Sequence, residues 1–284
     1  MTRLPVFAAL FLFLAAGLSA MEWPSPSGIM TRNFGWNDSG SPHLGVSFAD
    51  AGTFAAAAAG ELIFTRGVAD RACRLPSPLG AWIALDHGDG LISIYSRFDA
   101  SSLEEIPARV QQGDELGRSG ISGWSSQSGF YFQIFDRAER RWVNPAMIVR
   151  TMITRQPTII QVSLMDAQGR LFNLAQTASL SQGRYAVLVN AVSGALAAPL
   201  APFRIICSLN GSEAGALSFE TYFVRDGSLV VYRNGLIPAR RIFAPAAGFE
   251  VADLWLTRGQ ATLEIIAQDI SGPTHNVVHR FTVE

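Results

Sequence analysis

The sequence predicts an all-β protein of two domains preceded by an export leader. Three observations predict this. First, no stretch beyond the leader repeats apolar residues at i, i+3, i+4 and i+7, the mark of an amphipathic helix. Second, short runs rich in Ile, Val, Phe and Tyr recur throughout, each bounded by Gly, Asn, Asp or Pro. Third, 284 residues suffice for two ordinary domains.

The first twenty residues read as the leader. Thr2 and Arg3 give a basic start, Leu4 to Leu18 an apolar stretch, and Gly17, Ser19 and Ala20 small residues for cleavage. The apolar run is short for a transmembrane helix, which needs about 20 residues. The mature protein is therefore expected to begin near Met21 and to act in the periplasm or at the cell surface. Uncleaved, the same segment would be its one membrane contact. No Cys follows the run, which argues against a lipoprotein.

The formal net charge is -1, and only 16% of residues are charged. Neither points to nucleic acid or an anionic membrane as partner. All 22 basic residues are Arg, and we attach no function to that. Cys73 and Cys207 are the only cysteines. An exported protein can pair them. Two isolated, partly buried thiols are the alternative, since they fall in different domains.

Strands are expected at Glu61–Thr65, Ala81–Asp86, Leu91–Arg97, Phe130–Phe135, Ile159–Leu164, Arg184–Ala191 and Thr262–Gln268. The polar, proline-bearing stretch Arg150–Pro157 marks a boundary, giving domains 21–150 and 156–284 after a leader at 1–20. In the second domain, Asp226-Gly227 between Thr221–Val224 and Ser228–Tyr232 is a two-residue hairpin signal. A last strand is expected at His275–Val283. Roughly seven strands over about 125 residues suggest a β-sandwich of the immunoglobulin type. The texture resembles the Ig-like modules of bacterial surface proteins.

The first domain carries an ordered series of motifs. Arg32-Asn33-Phe34-Gly35 precedes Pro42-His43-Leu44-Gly45-Val46-Ser47, Gly52-Thr53 and Ala59-Gly60-Glu61-Leu62. Then come His87-Gly88-Asp89-Gly90, Tyr95-Ser96-Arg97-Phe98, Gly113-Asp114-Glu115-Leu116-Gly117, Gly120, Ser122-Gly123, Phe132-Gln133-Ile134 and Val143-Asn144-Pro145. In order and spacing this resembles the LytM or lysostaphin-type zinc peptidases, which cut cell-wall peptide cross-links. The resemblance implies a β-sheet with a groove and a metal on its floor. Gly88, Gly90 and Gly113 would supply tight turns with positive φ.

At the metal the sequence departs from that family. A catalytic zinc needs about three protein ligands and an open position for water, whose pKa it lowers. The resemblance places the first two ligands in a His-x-x-x-Asp segment, here His43 to Ser47, so serine stands for the aspartate. It places the third at the second His of a His-x-His pair, here Gly129 and Tyr131. The remaining catalytic His follows Tyr-Ala in the family, whereas Arg97 follows Tyr95-Ser96 here. His43 is the only ligand position that survives. Ser47 is a poor zinc donor, Arg97 is a permanent cation, and the Tyr131 phenol titrates near 10. No catalytic or metal-ligating set is therefore expected, and no cofactor.

Other residues do not rebuild a site. His87 reads as a turn residue, and His275 and His279 as surface residues of a strand. Asp86, Asp89 and Asp114 read as turn residues, and Glu104-Glu105 as a solvated acidic pair. No Gly-x-Ser-x-Gly, phosphate loop or His-Glu-x-x-His occurs. The candidate groove residues are His43, Ser47, Arg97, Trp124, Gly129 and Tyr131, with Phe130 nearby and Phe132 expected in the core. Aromatics with one Arg suit a peptide with a carboxylate end. The leading expectation is a non-enzyme that binds peptidoglycan stem peptide or regulates a cell-wall hydrolase. The alternatives are a structural or adhesive envelope protein acting through the Ig-like half, and an active zinc endopeptidase with an unusual site.

Overall fold

The computed structural model describes residues 20–49, 52–67, 77–103, 106–125, 127–149, 154–194, 199–244 and 248–284. Residues 1–19 of the leader, Cys73 and Glu104-Glu105 lie outside these. Among the described residues no helix is long and apolar enough to cross a membrane. The helical elements among the described residues are three short 3-10 turns, at Ala100–Ser102, Pro145–Met147 and Ala239–Ile242. Every strand expected from sequence is present; four of them extend at both ends, while those at 82–86 and 91–96 are each a residue shorter than expected.

The first unit is built on antiparallel strands Gly60–Arg66, Trp82–Asp86, Leu91–Ser96 and Gly129–Asp136, which pair in that order. The hairpin between the second and third closes through Gly88, Asp89 and Gly90, all at positive φ, as the glycine spacing predicts. Gly113, φ 86°, turns the chain before the strand Glu115–Arg118 in the same way. Along its far edge the 129–136 strand pairs with Val46–Ala49 and then with Arg141–Val143.

Side chains alternate across the 129–136 strand, as the pleat requires. Phe130, Phe132 and Ile134 are fully buried on one face. They pack with Phe54, Tyr95, Phe98 and Leu116; the Phe54 and Phe130 rings stack at 4.3 Å. Tyr131 and Gln133 are buried on the other face. Phe130 thus belongs to the core with Phe132 and not to the groove, which corrects its placement near the candidate site.

The second unit is a β-sandwich of two five-stranded sheets. One contains Pro157–Asp166, Gly183–Ser193 and Gly248–Leu256. The other contains Arg204–Leu209, Gly259–Gln268 and Thr274–Val283. The 259–268 strand buries every second residue from Ala261 to Ala267, as a strand with one face on a core must. Leu164, Val187, Val189 and Val251 meet Ile205, Cys207, Leu263 and Ile265 inside. His275 and His279 are not plain surface residues. Nδ1 of His275 accepts a hydrogen bond from the Ile159 amide at 3.0 Å, and His279 lies against the Leu174 backbone.

The Asp226-Gly227 hairpin forms as expected, with Arg225 opposite Ser228 and φ of 49° and 72° at the turn. Its partner is not local. The strand Thr221–Arg225 pairs with Arg141–Val143, so Thr221–Arg225, Ser228–Tyr232 and Leu236–Pro238 extend the first unit's sheet. Phe34 of the first unit is fully buried in the second unit's core, its ring 5.2 Å from Tyr222. Asn33 makes two hydrogen bonds to the Ala201 backbone, each 2.8 Å. Asn144 donates to the Phe219 carbonyl at 2.8 Å. Gly35, φ 83°, permits this approach, because a Cβ there would stand 2.3 Å from the Phe219 ring.

Candidate functional site

The groove floor is the outer face of the 129–136 strand. The register sets Tyr131 opposite Ser47 on one side and Ser96 on the other. Ser96 Oγ donates to the Tyr131 carbonyl at 3.2 Å. A tight pass over this floor brings in His43. Gly45 is essential to the pass: a Cβ there would lie 2.2 Å from the Phe132 carbonyl oxygen and 2.9 Å from the Tyr131 ring. The backbone of His43 is held by Trp36 and Gly35, within the segment that forms the small Asn37–Asp38/Ser41–Pro42 ladder.

His43, Ser47, Tyr131 and Arg97 therefore meet. His43 Nε2 and Ser47 Oγ are 3.0 Å apart and buried. The His43 and Tyr131 rings lie 4.6 Å apart at 31°. The Arg97 guanidinium carbon stands 5.3 Å from the Tyr131 ring centre, a cation-π contact. Arg97 does not end the strand as the sequence suggests. It lies just beyond it in the left-handed region, φ 69°, held by hydrogen bonds to Leu79 and Gly120. Such a conformation is uncommon for a residue other than glycine.

Beside this group opens a cleft of about 200 Å³, lined by Arg32, Ser47, Arg97, Trp124, Ser128 and Gly129 among others. Trp124 is 78% exposed at its rim. Arg32 was not singled out by sequence. It enters because Arg32 pairs with Ser47 across the Ile29–Arg32/Val46–Ala49 ladder. It forms a 3.4 Å ion pair with Asp38.

The electrostatics of the site are those of a cation-rich groove. Burial lowers the His43 pKa to about 3, helped by the charges of Arg97 and then Arg32, so the ring is neutral at ordinary pH. Burial raises the Tyr131 pKa well above that of a free phenol, and the phenolate is out of reach. Burial also lowers the Arg97 pKa, against the opposing pull of Tyr131.

The donors present do not fit a zinc ion. One neutral imidazole is already in contact with a serine hydroxyl, the phenol beside it stays protonated, and a guanidinium faces both. Among the described residues no three His, Cys, Asp or Glu side chains converge. Gly129 has no room for a replacement, because a Cβ would stand 2.8 Å from the Phe48 carbonyl oxygen. His87 is a turn residue, as expected. Its Nδ1 donates to the Ala59 carbonyl at 2.7 Å, which leaves Nε2 to accept from Ser93 Oγ at 2.6 Å.

The β-sheet groove with its altered floor defines a peptidase-like domain of degenerate type. Residues 41–145 match Peptidase family M23, to which LytM-type domains belong. Among solved structures, the chain is similar to the catalytic domain of a prophage-encoded M23 protein from Enterococcus faecalis. Identity is 21%, covering 44% of this chain and 94% of that one, with a TM-score of 0.35. It is also similar to a zinc-containing peptidase from Vibrio cholerae, at 19% identity, 45% and 39% coverage and a TM-score of 0.37. The catalytic domain of lysostaphin from Staphylococcus simulans gives 21% identity, 39% and 79% coverage and a TM-score of 0.30. No curated protein sequence matches the chain.

Proposed function

We propose that this protein is an exported, catalytically silent relative of the cell-wall peptidases, which binds peptidoglycan stem peptide or, through the same groove, controls a cell-wall hydrolase. The observation that supports it most is the His43–Ser47–Tyr131–Arg97 group. The groove keeps its floor and wall, while the positions that would hold a metal carry groups that pack against each other instead. A hydrolytic zinc works by lowering the pKa of its water and polarising the scissile carbonyl. Among the described residues His43 and Ser47 are the base and nucleophile that meet at the groove, and a buried ring whose pKa is lowered to about 3 is a poor general base. We assign the sandwich to the immunoglobulin type and read it as a support for the groove.

The test uses the purified mature chain with isolated cell-wall sacculi and with soluble stem peptides, with and without added zinc. Binding without release of peptide fragments is expected in both conditions. Stoichiometric zinc accompanied by cleavage would overturn the proposal.

A further inference from the structure

Arg97 is a half-buried cation with no carboxylate in salt-bridge contact; the acidic group that acts on it is the more distant Asp38, which pairs with Arg32. No carboxylate of the described residues lies within 4.0 Å of its guanidinium. Its Nε is buried without a hydrogen-bond partner. Its one close electrostatic contact is the face of the Tyr131 ring. A desolvated charge left in this state is costly, and its position in the left-handed backbone region adds to that cost. An acidic residue at one of the neighbouring serines or threonines would have relieved it. Instead Thr31, Ser47, Ser125 and Ser128 line the same cleft, all neutral; Thr31 and Ser125 already donate to the Ser47 and Gln127 carbonyls and Ser47 faces His43, so the cation is answered by no acidic group of the lining.

Arg32 lies on the same cleft but is half neutralised, since Asp38 stands 3.4 Å from it. Counting Arg97, Arg32 and Asp38 together, the groove holds one net positive charge. That matches a monoanion better than a doubly charged phosphate. The cleft of about 200 Å³ is small, and Trp124 at its rim offers an aromatic face to whatever leaves it. Guanidinium groups prefer planar, two-oxygen acceptors, which a carboxylate supplies.

We infer that the former metal end of the groove is a carboxylate site, in which Arg97, seconded by Arg32, takes the terminal carboxylate of a peptide whose last side chain rests against Trp124. This rests on the reading of the groove as a peptide-binding surface, and adds that the groove has changed the sign of the charge it accepts.

The experiment is an amide chemical-shift titration of the mature chain. The probes are alanyl-alanine with a free carboxylate, in L,L and D,D forms, the corresponding C-terminal amides, and inorganic phosphate. At least one free-acid dipeptide is expected to shift groove amides near Arg97 and Ser128, with its amide bound about tenfold more weakly or worse. Arg97→Gln and Arg32→Gln are each expected to weaken the acid form, Arg97→Gln the more. Arg97→Gly serves as a second variant, because glycine accepts the local φ, and it should lose binding while melting no lower than the parent. Equal binding of acid and amide would overturn the carboxylate assignment, and so would phosphate binding more tightly than every dipeptide. Absence of dipeptide binding would overturn it as well, whereas the broader reading is judged separately by retention of the protein on sacculi.

Discussion

Ser47 Oγ stands 3.0 Å from Nε2 of His43, so the residue that replaces an expected carboxylate ligand occupies the surviving ligand's own nitrogen. The pair is buried beneath Arg97 and against Tyr131. Its consequences for metal binding, acid sensitivity and packing can each be measured.

Restoring carboxylate and imidazole to the two lost ligand positions should recreate affinity for zinc. After dialysis against equimolar zinc, the parent chain is expected to retain well under one equivalent by elemental analysis. Ser47→Asp/Tyr131→His should retain about one, and adding Arg97→His should tighten it by removing a cation from the shell. Full zinc occupancy of the parent would show that the donor count at His43 is wrong.

Stability should fall on acidification, and His43 should account for a measurable part of the slope. Its folded pKa, about 3, lies below the ordinary value of 6.5. Between those values the unfolded chain takes up a proton that the folded chain refuses, so stability is intact above about pH 6.5 and declines as the pH falls towards 3. The limiting slope is about 1.4 kcal/mol per pH unit for one such group. His87 and His279 are shifted in the same direction and add to the total. Melting temperatures of the parent and of His43→Gln between pH 7 and 4 should converge as the pH drops. Parallel curves would remove His43 from the account.

The two halves should unfold as one body. Asn33→Ala removes two hydrogen bonds across their junction and leaves the Ala201 amide and carbonyl unmatched. A loss of about 2 kcal/mol is expected. Calorimetry should show a single transition that moves as a whole. Two transitions, only one of which responds, would mean that the shared sheet does not couple the halves.

Cys207 should be inert until the protein unfolds. It is fully buried among aliphatic side chains, and burial pushes its thiol up to about 12. Because the thiolate is the reactive species, a disulfide reagent should leave it untouched in the native state and label it in denaturant. Native labelling at the rate of a free thiol would contradict the packing described.

Much of this architecture was legible from local signals. Alternation read correctly along 259–268, and the glycine turns at 88–90 and 113 and the Asp226-Gly227 hairpin were where their spacing put them. The His43, Ser47, Arg97 and Tyr131 group was assembled from motif order alone. What was not legible depended on distant partners. Nothing local in Thr221–Arg225 announces that it pairs with Arg141–Val143, about 80 residues earlier. Nothing in Phe34 says which of two cores receives it. Arg32 became a groove residue only through its register with Ser47. Phe130 shares its buried face with Phe132, as alternation along the strand implies, although it lies close in sequence to the exposed Trp124.

The lack of space at Gly129 limits which substitutions the groove can accept. A histidine introduced there would meet the Phe48 backbone before it could approach any metal, so the substitution does harm until the adjacent strand has shifted. The paired substitution at Ser47 and Tyr131 leaves Gly129 untouched and does not meet this obstacle. Side chains can be exchanged along the rest of the groove, but this end of its floor tolerates only a bare backbone.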